Sequence, residues 1–172
     1  ADKASGTYTE SKTDFEVNLY SPYEDDENVK IQWKFDGETE WKEYTGTISF
    51  PTEDKVINVR AVNEATAKIS PATNYVYYFA PPAPIITLPS GVYIKEEDLK
   101  TIIQMPDDLT DKGKYRIFFQ ISEAEQHGER ASNVELPLTE TTSVKAFLKN
   151  ENTERISEVV SAYYILQDKK MT

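Results

Sequence analysis

The sequence predicts an all-β chain made of two tandem β-sandwich domains, and three observations support this fold class. Apolar and polar residues alternate in short segments, as in Ile31, Trp33 and Phe35, which would share one buried face of a strand. Turn-forming residues such as Asp36-Gly37 separate these segments at short intervals. The same series of segments then occurs a second time. Regularly spaced short strands of this kind are typical of β-sandwiches.

The internal repeat extends over almost the whole chain of 172 residues. Segments of the first half recur in the second half at an offset of 85 to 87 residues, which indicates a duplicated structural unit. The matched segments are Ser5-Gly6-Thr7-Tyr8 with Ser90-Gly91-Val92-Tyr93, Ile31, Trp33 and Phe35 with Ile117, Phe119 and Ile121, Ile48 with Val134, Val59-Arg60-Ala61-Val62 with Val144-Lys145-Ala146-Phe147, and Ile69-Ser70 with Ile156-Ser157. Only residues 96–104 and 123–130 could form a turn or two of helix.

The boundary between the repeats is predicted at Pro81-Pro82-Ala83-Pro84. Proline fixes φ and has no backbone N–H to donate, so this segment interrupts the strands on either side and forms a stiff connection. The predicted domains are therefore residues 1–80 and 81–172, with the proline-rich junction at residues 81–84.

The composition excludes several classes of function. The chain has no cysteine, which rules out disulfides, thiolate catalysis and cysteine-ligated metal sites. Thirty acidic residues against 19 basic ones give a net charge of −11, and no basic stripe is present, so we expect neither nucleic-acid binding nor attachment to anionic membranes. No apolar run approaches the roughly 18 residues that a membrane-spanning helix needs.

The same composition bears on location. Small extracellular domains of eukaryotes usually carry disulfides, so a cysteine-free pair of sandwiches favours a bacterial protein that is secreted or attached to the cell surface. The sequence starts at Ala1-Asp2-Lys3 without a signal segment, and we therefore expect a mature or excised piece of a longer protein. Other domains of that parent chain are then among its expected partners.

Residues of the first half resemble a known family. The segments Trp33-Lys34-Phe35-Asp36-Gly37-Glu38, Tyr44-Thr45-Gly46-Thr47-Ile48 and Ile57-Asn58-Val59-Arg60-Ala61-Val62 resemble the chitobiase/β-hexosaminidase C-terminal-like domain, also described as fibronectin type III-associated. In the second half Ser122-Glu123 replaces Asp-Gly, so over residues 84–166 the resemblance rests on the internal alignment and also fits a more general immunoglobulin-like sandwich. The resemblance implies immunoglobulin-like or fibronectin-like β-sandwich domains that are non-catalytic accessories of large bacterial proteins, often carbohydrate-active enzymes.

No residue combination predicts catalysis, a metal site or a cofactor. His127 is the only histidine and lies in a polar loop, where we expect it to be exposed and without a functional role. The acidic run Glu24-Asp25-Asp26-Glu27 lacks the Asp-x-Asp-x-Asp-Gly spacing of a calcium loop and is interpreted as a solvated turn, as are Asp107, Asp108 and Asp111. Paired carboxylates for glycoside hydrolysis need a cleft that domains of this size do not provide.

Aromatic residues are the strongest indication of a ligand, since the chain has 11 Tyr, 2 Trp and 7 Phe. Exposed rings of this type can stack on sugar faces. The candidate ligand-binding residues are Trp41, Tyr44, Tyr77 and Tyr163, with Tyr20, Tyr23, Tyr78 and Tyr164 as further candidates. Because side chains alternate along a strand, one member of each adjacent tyrosine pair must face inward, so packing accounts for about half of these rings. Trp33 is predicted to be a core residue.

The predicted function is a non-catalytic spacer or accessory module that positions a neighbouring domain. Two alternatives remain open. One is a carbohydrate-binding module that uses exposed Trp and Tyr rings to hold a polysaccharide. The other is a protein-binding adhesin domain that pairs a partner strand with an exposed sheet edge.

Overall fold

The structure of the protein is a computed structural model that describes residues 1–23, 25–130 and 132–170, with the backbone alone at residues 129–130. The chain divides into two compact units, Ala1–Phe79 (unit 1) and Ala80–Thr172 (unit 2). Each unit has a hydrophobic core of its own.

Unit 1 is a sandwich of two sheets whose strands follow the alternating segments of the sequence. The larger sheet has the strand order β1-β8-β6-β3-β4, with β7 also paired to β6, and the smaller sheet pairs β2 with β5. The strands are β1 (Gly6–Thr9), β2 (Phe15–Val17), β3 (Val29–Phe35), β4 (Lys42–Glu43), β5 (Ile48–Phe50), β6 (Lys55–Asn63), β7 (Lys68–Ile69) and β8 (Thr73–Ala80).

Aromatic rings fill much of the core of unit 1. The ring of Phe15 lies 5.5 Å from that of Phe50, 5.3 Å from that of Tyr77 and 5.1 Å from that of Phe79, measured between centroids. These tilted and edge-on contacts connect β2 and β5 of the smaller sheet to β8 of the larger sheet. Such arrangements are the ones that aromatic quadrupoles favour.

Unit 2 repeats this architecture with two differences. It has an additional short strand at its start, and an isolated bridge between Lys149 and Ile156 replaces β7. One sheet has the order β10-β16-β15-β12-β13, in which β10 runs parallel to β16, and the other has the order β14-β11-β9. The elements are β9 (Ile85–Ile86), β10 (Gly91–Ile94), β11 (Lys100–Gln104), a 3₁₀ turn at Lys112–Lys114, β12 (Tyr115–Ile121), β13 (His127–Arg130), β14 (Val134–Pro137), β15 (Thr142–Asn150) and β16 (Val160–Gln167).

The two segments that could form a turn or two of helix on sequence grounds are not helical in the structure. Residues 96–104 contain β11, and residues 123–130 contain β13. In β11 the β-branched residues Thr101, Ile102 and Ile103 favour extended backbone, and Thr101 and Ile103 are fully buried on one face. Burial of this face therefore decides the conformation of β11.

The register of the repeat differs from the predicted one in a single strand. Trp33 pairs with Val59 in unit 1, and Phe119 pairs with Ala146 in unit 2, so β6 and β15 match at an offset of 87 residues. The predicted match of Val59 with Val144 is wrong by two residues. Because side chains alternate with a period of two, this error leaves the inward-facing set unchanged.

A buried tyrosine in the last strand closes each unit. Tyr77 is 0 % exposed, and its hydroxyl donates a 2.8 Å hydrogen bond to the backbone carbonyl of Lys3. Tyr164 is also 0 % exposed, and its hydroxyl donates a 2.7 Å hydrogen bond to the carbonyl of Leu88. Lys3 and Leu88 precede β1 and β10. Each tyrosine therefore anchors the segment before one strand to the strand that ends the unit.

Several other hydrogen bonds recur at equivalent positions of the two units. They satisfy backbone groups that the sheet ladders leave unpaired. The recurring donor and acceptor pairs are Val76 N to Ser5 Oγ and Tyr163 N to Ser90 Oγ, Ala61 N to Ser70 Oγ and Leu148 N to Ser157 Oγ, Thr66 N to Asn63 Oδ1 and Thr153 N to Asn150 Oδ1, and Tyr8 Oη to the Ala4 carbonyl and Tyr93 Oη to the Pro89 carbonyl.

The turn after β3 and the turn after β12 use different residues for the same task. Gly37 has φ of 88° in unit 1, and Ser122 has φ of 52° in unit 2. A long polar side chain bridges both turns, since Lys34 Nζ donates to the carbonyl of Glu38 and Gln120 Nε2 donates to the carbonyl of Ala124. Replacement of Asp-Gly by Ser122-Glu123 therefore retains a left-handed residue in the turn.

A second left-handed position recurs after β6 and β15, in both cases without glycine. Ala67 has φ of 56°, and Glu154, which is 87 residues further on, has φ of 61°. A side chain with a Cβ atom is strained in this region, whereas glycine is not.

Glycine at these two positions is expected to stabilise the protein. Ala67→Gly and Glu154→Gly should each raise the free energy of unfolding by about 0.5–1 kcal/mol, because the left-handed strain is removed. The control Ala61→Gly places the same change in strand β6, where glycine should destabilise unit 1 by a similar amount. Denaturant unfolding measures all three. Destabilisation by Ala67→Gly would contradict the assigned turn geometry.

The stability of unit 1 should depend on pH through Tyr77. Burial raises the pKa of Tyr77 to about 12 from the ordinary value of 10.0, and the nearby Tyr8, Tyr75 and Asp2 add to the shift. The unfolded chain therefore loses this proton at lower pH than the folded chain does, so the contribution of Tyr77 is complete below pH 10 and is lost as the pH rises towards 12.

Unfolding of the wild type and of Tyr77→Phe at pH 8 to 12 tests this linkage. The variant should be less stable by about 1 kcal/mol at pH 8, because its hydrogen bond is missing, and its stability should fall less steeply above pH 10. Tyr20→Phe, which changes a ring that is 65 % exposed, is the control and should retain the wild-type slope. Equal slopes for Tyr77→Phe and the wild type would refute the assignment.

Candidate functional site

Tyr77 is not available to a ligand, so this candidate is corrected. Its ring is fully buried among Tyr8, Phe15 and Phe50. The alternation of β8 places the next residue, Tyr78, outward with 46 % of its surface exposed. The sequence showed that one member of this pair faces inward but not which one. The equivalent buried residue in unit 2 is Tyr164, not Tyr163.

Tyr163 lies on the outer face of unit 2. Its side chain is 52 % exposed, and its backbone N–H donates to the hydroxyl of Ser90. Tyr163 also lines an open cavity of about 590 Å³ together with Lys145 and Ser122. Tyr163 is therefore accessible, and a ligand role for it stays a prediction.

The ring of Trp41 is occupied by cations of the chain itself. The Arg60 guanidinium carbon lies 4.1 Å from the ring centroid, and Lys34 Nζ lies 5.1 Å from it. Cation–π contacts of this kind stabilise a fold, and they compete with a sugar for the ring surface. Trp41 is half-buried. Its environment favours a structural role.

Tyr44 and Trp33 pack against the core of unit 1. Both are half-buried, and the backbone N–H of Tyr44 donates to the carbonyl of Ile31. Lys42 Nζ lies 4.7 Å from the Trp33 ring centroid and 3.0 Å from the carboxylate of Glu38. The hydrogen bond from Lys42 lowers the pKa of Glu38. Within unit 1, the candidates Trp41, Tyr44 and Tyr77 do not form one site, because Tyr77 is buried in the core.

The histidine and acidic candidates that the structure describes are exposed side chains. His127 is exposed at the start of β13, with its ring 6.1 Å from that of Phe119. Glu24, part of the acidic run, lies outside the described residues. Across residues 1–23, 25–130 and 132–170, no group of three or more His, Asp or Glu side chains is arranged to hold a metal ion. In the same residues no helix is long and apolar enough to span a membrane.

Unit 2 carries an exposed apolar surface that the sequence reasoning missed. We call it the apolar face. Four of its side chains are 40 to 59 % exposed, and the other two are stacked rings 5.2 Å apart. Single exposed apolar residues are ordinary on protein surfaces, and a group of them on the outer face of one sheet is a candidate interaction surface. The residues of the apolar face are Val92, Ile94, Phe118, Phe147, Tyr163 and Ile165.

The stacked rings of the apolar face depend on a glycine in the neighbouring strand. Phe118 and Phe147 are a cross-strand pair of β12 and β15, and their ring planes differ by 8°. A Cβ atom on Gly128 of β13 would lie 2.3 Å from Phe118 Cδ1. Only glycine therefore allows the Phe118 ring to lie at this position.

Unit 1 has a different surface at the equivalent positions. Thr7 and Thr9 correspond to Val92 and Ile94. The cross-strand pair Gln32 and Arg60 corresponds to the stacked rings, and Arg60 Nε donates a 2.8 Å hydrogen bond to Gln32 Oε1. The interior contacts recur between the units, whereas these outer surfaces do not. The apolar face is therefore not a requirement of the fold.

Lysines accompany the apolar face on β15. Lys145 and Lys149 are at outward positions of this strand, and Lys149 Nζ lies 5.9 Å from the Phe118 ring centroid.

One sequence pattern could have identified the apolar face. Residues of one parity lie on one face of a strand, and the apolar residues at every second position are Val92 and Ile94 in β10 and Tyr163 and Ile165 in β16.

Comparison with known proteins shows the fold class. No family model matches the sequence, and no curated protein matches it. Among solved structures, the chain is similar to the alpha chain of the chicken interferon gamma receptor, with 9 % identity, a TM-score of 0.51 and coverage of 94 % of this chain and 97 % of the receptor chain. Fibronectin(III)-like modules of Clostridium thermocellum CbhA align over 98 % of this chain and 94 % of theirs, with 15 % identity and a TM-score of 0.40.

The observed strands and the similarity to the receptor chain confirm the predicted all-β fold of immunoglobulin-like and fibronectin-like sandwiches. At 9 % identity the similarity to the receptor chain concerns the fold alone, because one sandwich architecture hosts many unrelated functions. Function must therefore be inferred from the surfaces of this chain.

Proposed function

We propose that the protein is a non-catalytic accessory module that positions a neighbouring domain of a longer bacterial protein, secreted or exposed at the cell surface. One observation carries this proposal: the contacts that recur between the two units all stabilise the sandwiches. The hydroxyls of Tyr77 and Tyr164 anchor preceding segments, and Ser70 and Ser157 accept from backbone N–H groups. The features common to both units therefore build a scaffold.

We also propose the finer family assignment. The two units would be copies of the chitobiase/β-hexosaminidase C-terminal-like domain. The turn at Asp36-Gly37, with φ of 88° at Gly37, and the matched strand order of the two units support this assignment. A sandwich of this kind holds its termini and loops at fixed positions, which suits a spacer between functional domains.

Mechanical unfolding tests the positioning role, because a spacer must keep its shape under load. Pulled from its two ends in a single-molecule experiment, the chain should unfold in two separate steps, each releasing roughly 250–310 Å of extended chain. Tyr77→Phe should lower the force of one step and leave the other unchanged. Unfolding without measurable resistance, or in a single step, would contradict the proposal.

A second candidate function is protein binding, and the apolar face favours it. Four exposed apolar side chains and two lysines on one sheet suit a partner with apolar and acidic residues. Strand β10 is also the edge of this sheet, so a partner strand could pair with its free side.

The surface of unit 1 provides the substitutions that test this candidate. In the triple variant Val92→Thr, Ile94→Thr and Tyr163→Val, the residues found at the equivalent positions of unit 1 replace three exposed residues of the apolar face. The wild type should capture a protein from an extracellular-matrix extract, and the triple variant should lose it. Tyr78→Thr on unit 1 is the control and should retain capture. Equal capture by wild type and triple variant would exclude the apolar face.

A further inference from the structure

One loop of unit 1 departs from its counterpart in unit 2, although the two stretches have the same number of residues between equivalent positions. Residues 18–28, of which Glu24 is outside the described residues, lie between β2 and β3, and the equivalent residues 104–114 run from the last residue of β11 to the start of β12. The flanking strands match at an offset of 86, since Val17 pairs with Ile48 and Ile103 pairs with Val134. Residues of the two loops therefore correspond one to one.

The early part of the two loops has the same role. Leu19 and Met105 occupy equivalent positions, and each is 4 % exposed in the core of its unit. Four residues further on the loops diverge. Leu109 is 6 % exposed and belongs to the core of unit 2, whereas the equivalent Tyr23 is 61 % exposed. Unit 1 thus has an exposed tyrosine where unit 2 buries an apolar side chain.

A groove lies beside Tyr23 in unit 1. It consists of two adjoining cavities of about 320 and 280 Å³, both lined by Tyr23, Ala61 and Ser70. The second cavity is also lined by Ile31, Val59 and Tyr75 of the sandwich and by Tyr20, which is 65 % exposed. Two accessible tyrosines therefore border an apolar floor. Binding sites for small organic ligands have similar volumes and linings.

The other end of the groove is polar. Asp26, Asn63 and Lys68 line the first cavity. One carboxylate and one ammonium group together carry no net charge. The Asn63 amide can donate through Nδ2, since its Oδ1 already accepts from the backbone N–H groups of Ala65 and Thr66. The lining thus combines flat aromatic surface with mixed hydrogen-bonding groups. Arg60 also lines the second cavity, but its guanidinium is engaged by Gln32 and by the Trp41 ring.

This combination selects between two kinds of ligand. Proline-rich peptides also bind between aromatic rings, but proline has no backbone N–H to donate to a carboxylate such as Asp26. A neutral sugar has an apolar C–H face for a tyrosine ring and hydroxyl groups that both donate and accept. The groove chemistry therefore fits a neutral saccharide better than a proline-rich peptide.

We propose that this groove of unit 1 binds a neutral oligosaccharide, with Tyr20 and Tyr23 stacking on sugar rings and the groups at the Asp26 end binding hydroxyls. The site is separate from Trp41 and Tyr44. It goes beyond the positioning function, which requires no ligand. Unit 2 lacks the equivalent ring because Leu109 occupies that position as a core residue.

Titration of the full chain with four hexasaccharides, built from β-1,4-linked glucose, xylose, mannose or N-acetylglucosamine, tests the proposal by methyl NMR. At least one sugar should bind and shift the methyl signals of Ile31 and Val59, which line the groove. Tyr23→Leu should weaken that binding up to about tenfold, because one stacking ring is lost. This variant is expected to fold, since leucine is the residue at the equivalent position of unit 2.

The control is Val159→Ala, which shortens a side chain of unit 2 that is 57 % exposed and has no assigned role, and which should leave the affinity unchanged. A decaproline peptide is titrated in parallel. The proposal is overturned if none of the four sugars binds at millimolar concentration, or if Tyr23→Leu binds as the wild type does. Shifts of Ile31 and Val59 caused by decaproline alone would also overturn it.

Discussion

Each unit depends on a buried tyrosine hydroxyl that bonds to a backbone carbonyl of a distant segment. A phenol taken into an apolar core must keep a hydrogen-bond partner, because an unsatisfied buried hydroxyl costs about as much as several favourable contacts supply. Tyr77 and Tyr164 meet this requirement through Lys3 and Leu88, which lie 74 and 76 residues away in sequence. The same bond that satisfies the hydroxyl therefore fixes the path of the chain before β1 and before β10.

Most of the fold was predictable, because alternation and turn chemistry act locally. The inward set Ile31, Trp33 and Phe35 follows directly from a period of two, and that set packs against the core of unit 1. The register of β15 was not predictable, since a shift of two residues leaves every side chain on its own face. Cross-strand pairing, such as that of Phe119 with Ala146, resolves it.

The candidate sites were harder to predict, because exposure is a property of the three-dimensional surface. Sequence identified Tyr77 and Tyr78 as a pair but could not assign the inward ring, and it could not show that Arg60 covers Trp41. Comparison of the two units supplies what one sequence lacks. Interior positions such as Tyr77 and Tyr164 keep their roles in both units, whereas the Gln32–Arg60 pair of one becomes the stacked Phe118–Phe147 pair of the other. Surfaces that differ in this way are where function can diverge on a shared scaffold.

Native-state hydrogen exchange tests the central role of the tyrosine bond most directly. Opening of a local segment is reported by loss of protection of its backbone amides. In Tyr164→Phe, the account predicts that amides of β10 and β16 exchange faster, about tenfold, while amides of β1 and β8 keep wild-type protection. Unchanged exchange in β10, or an equal loss of protection in the strands of unit 1, would contradict it.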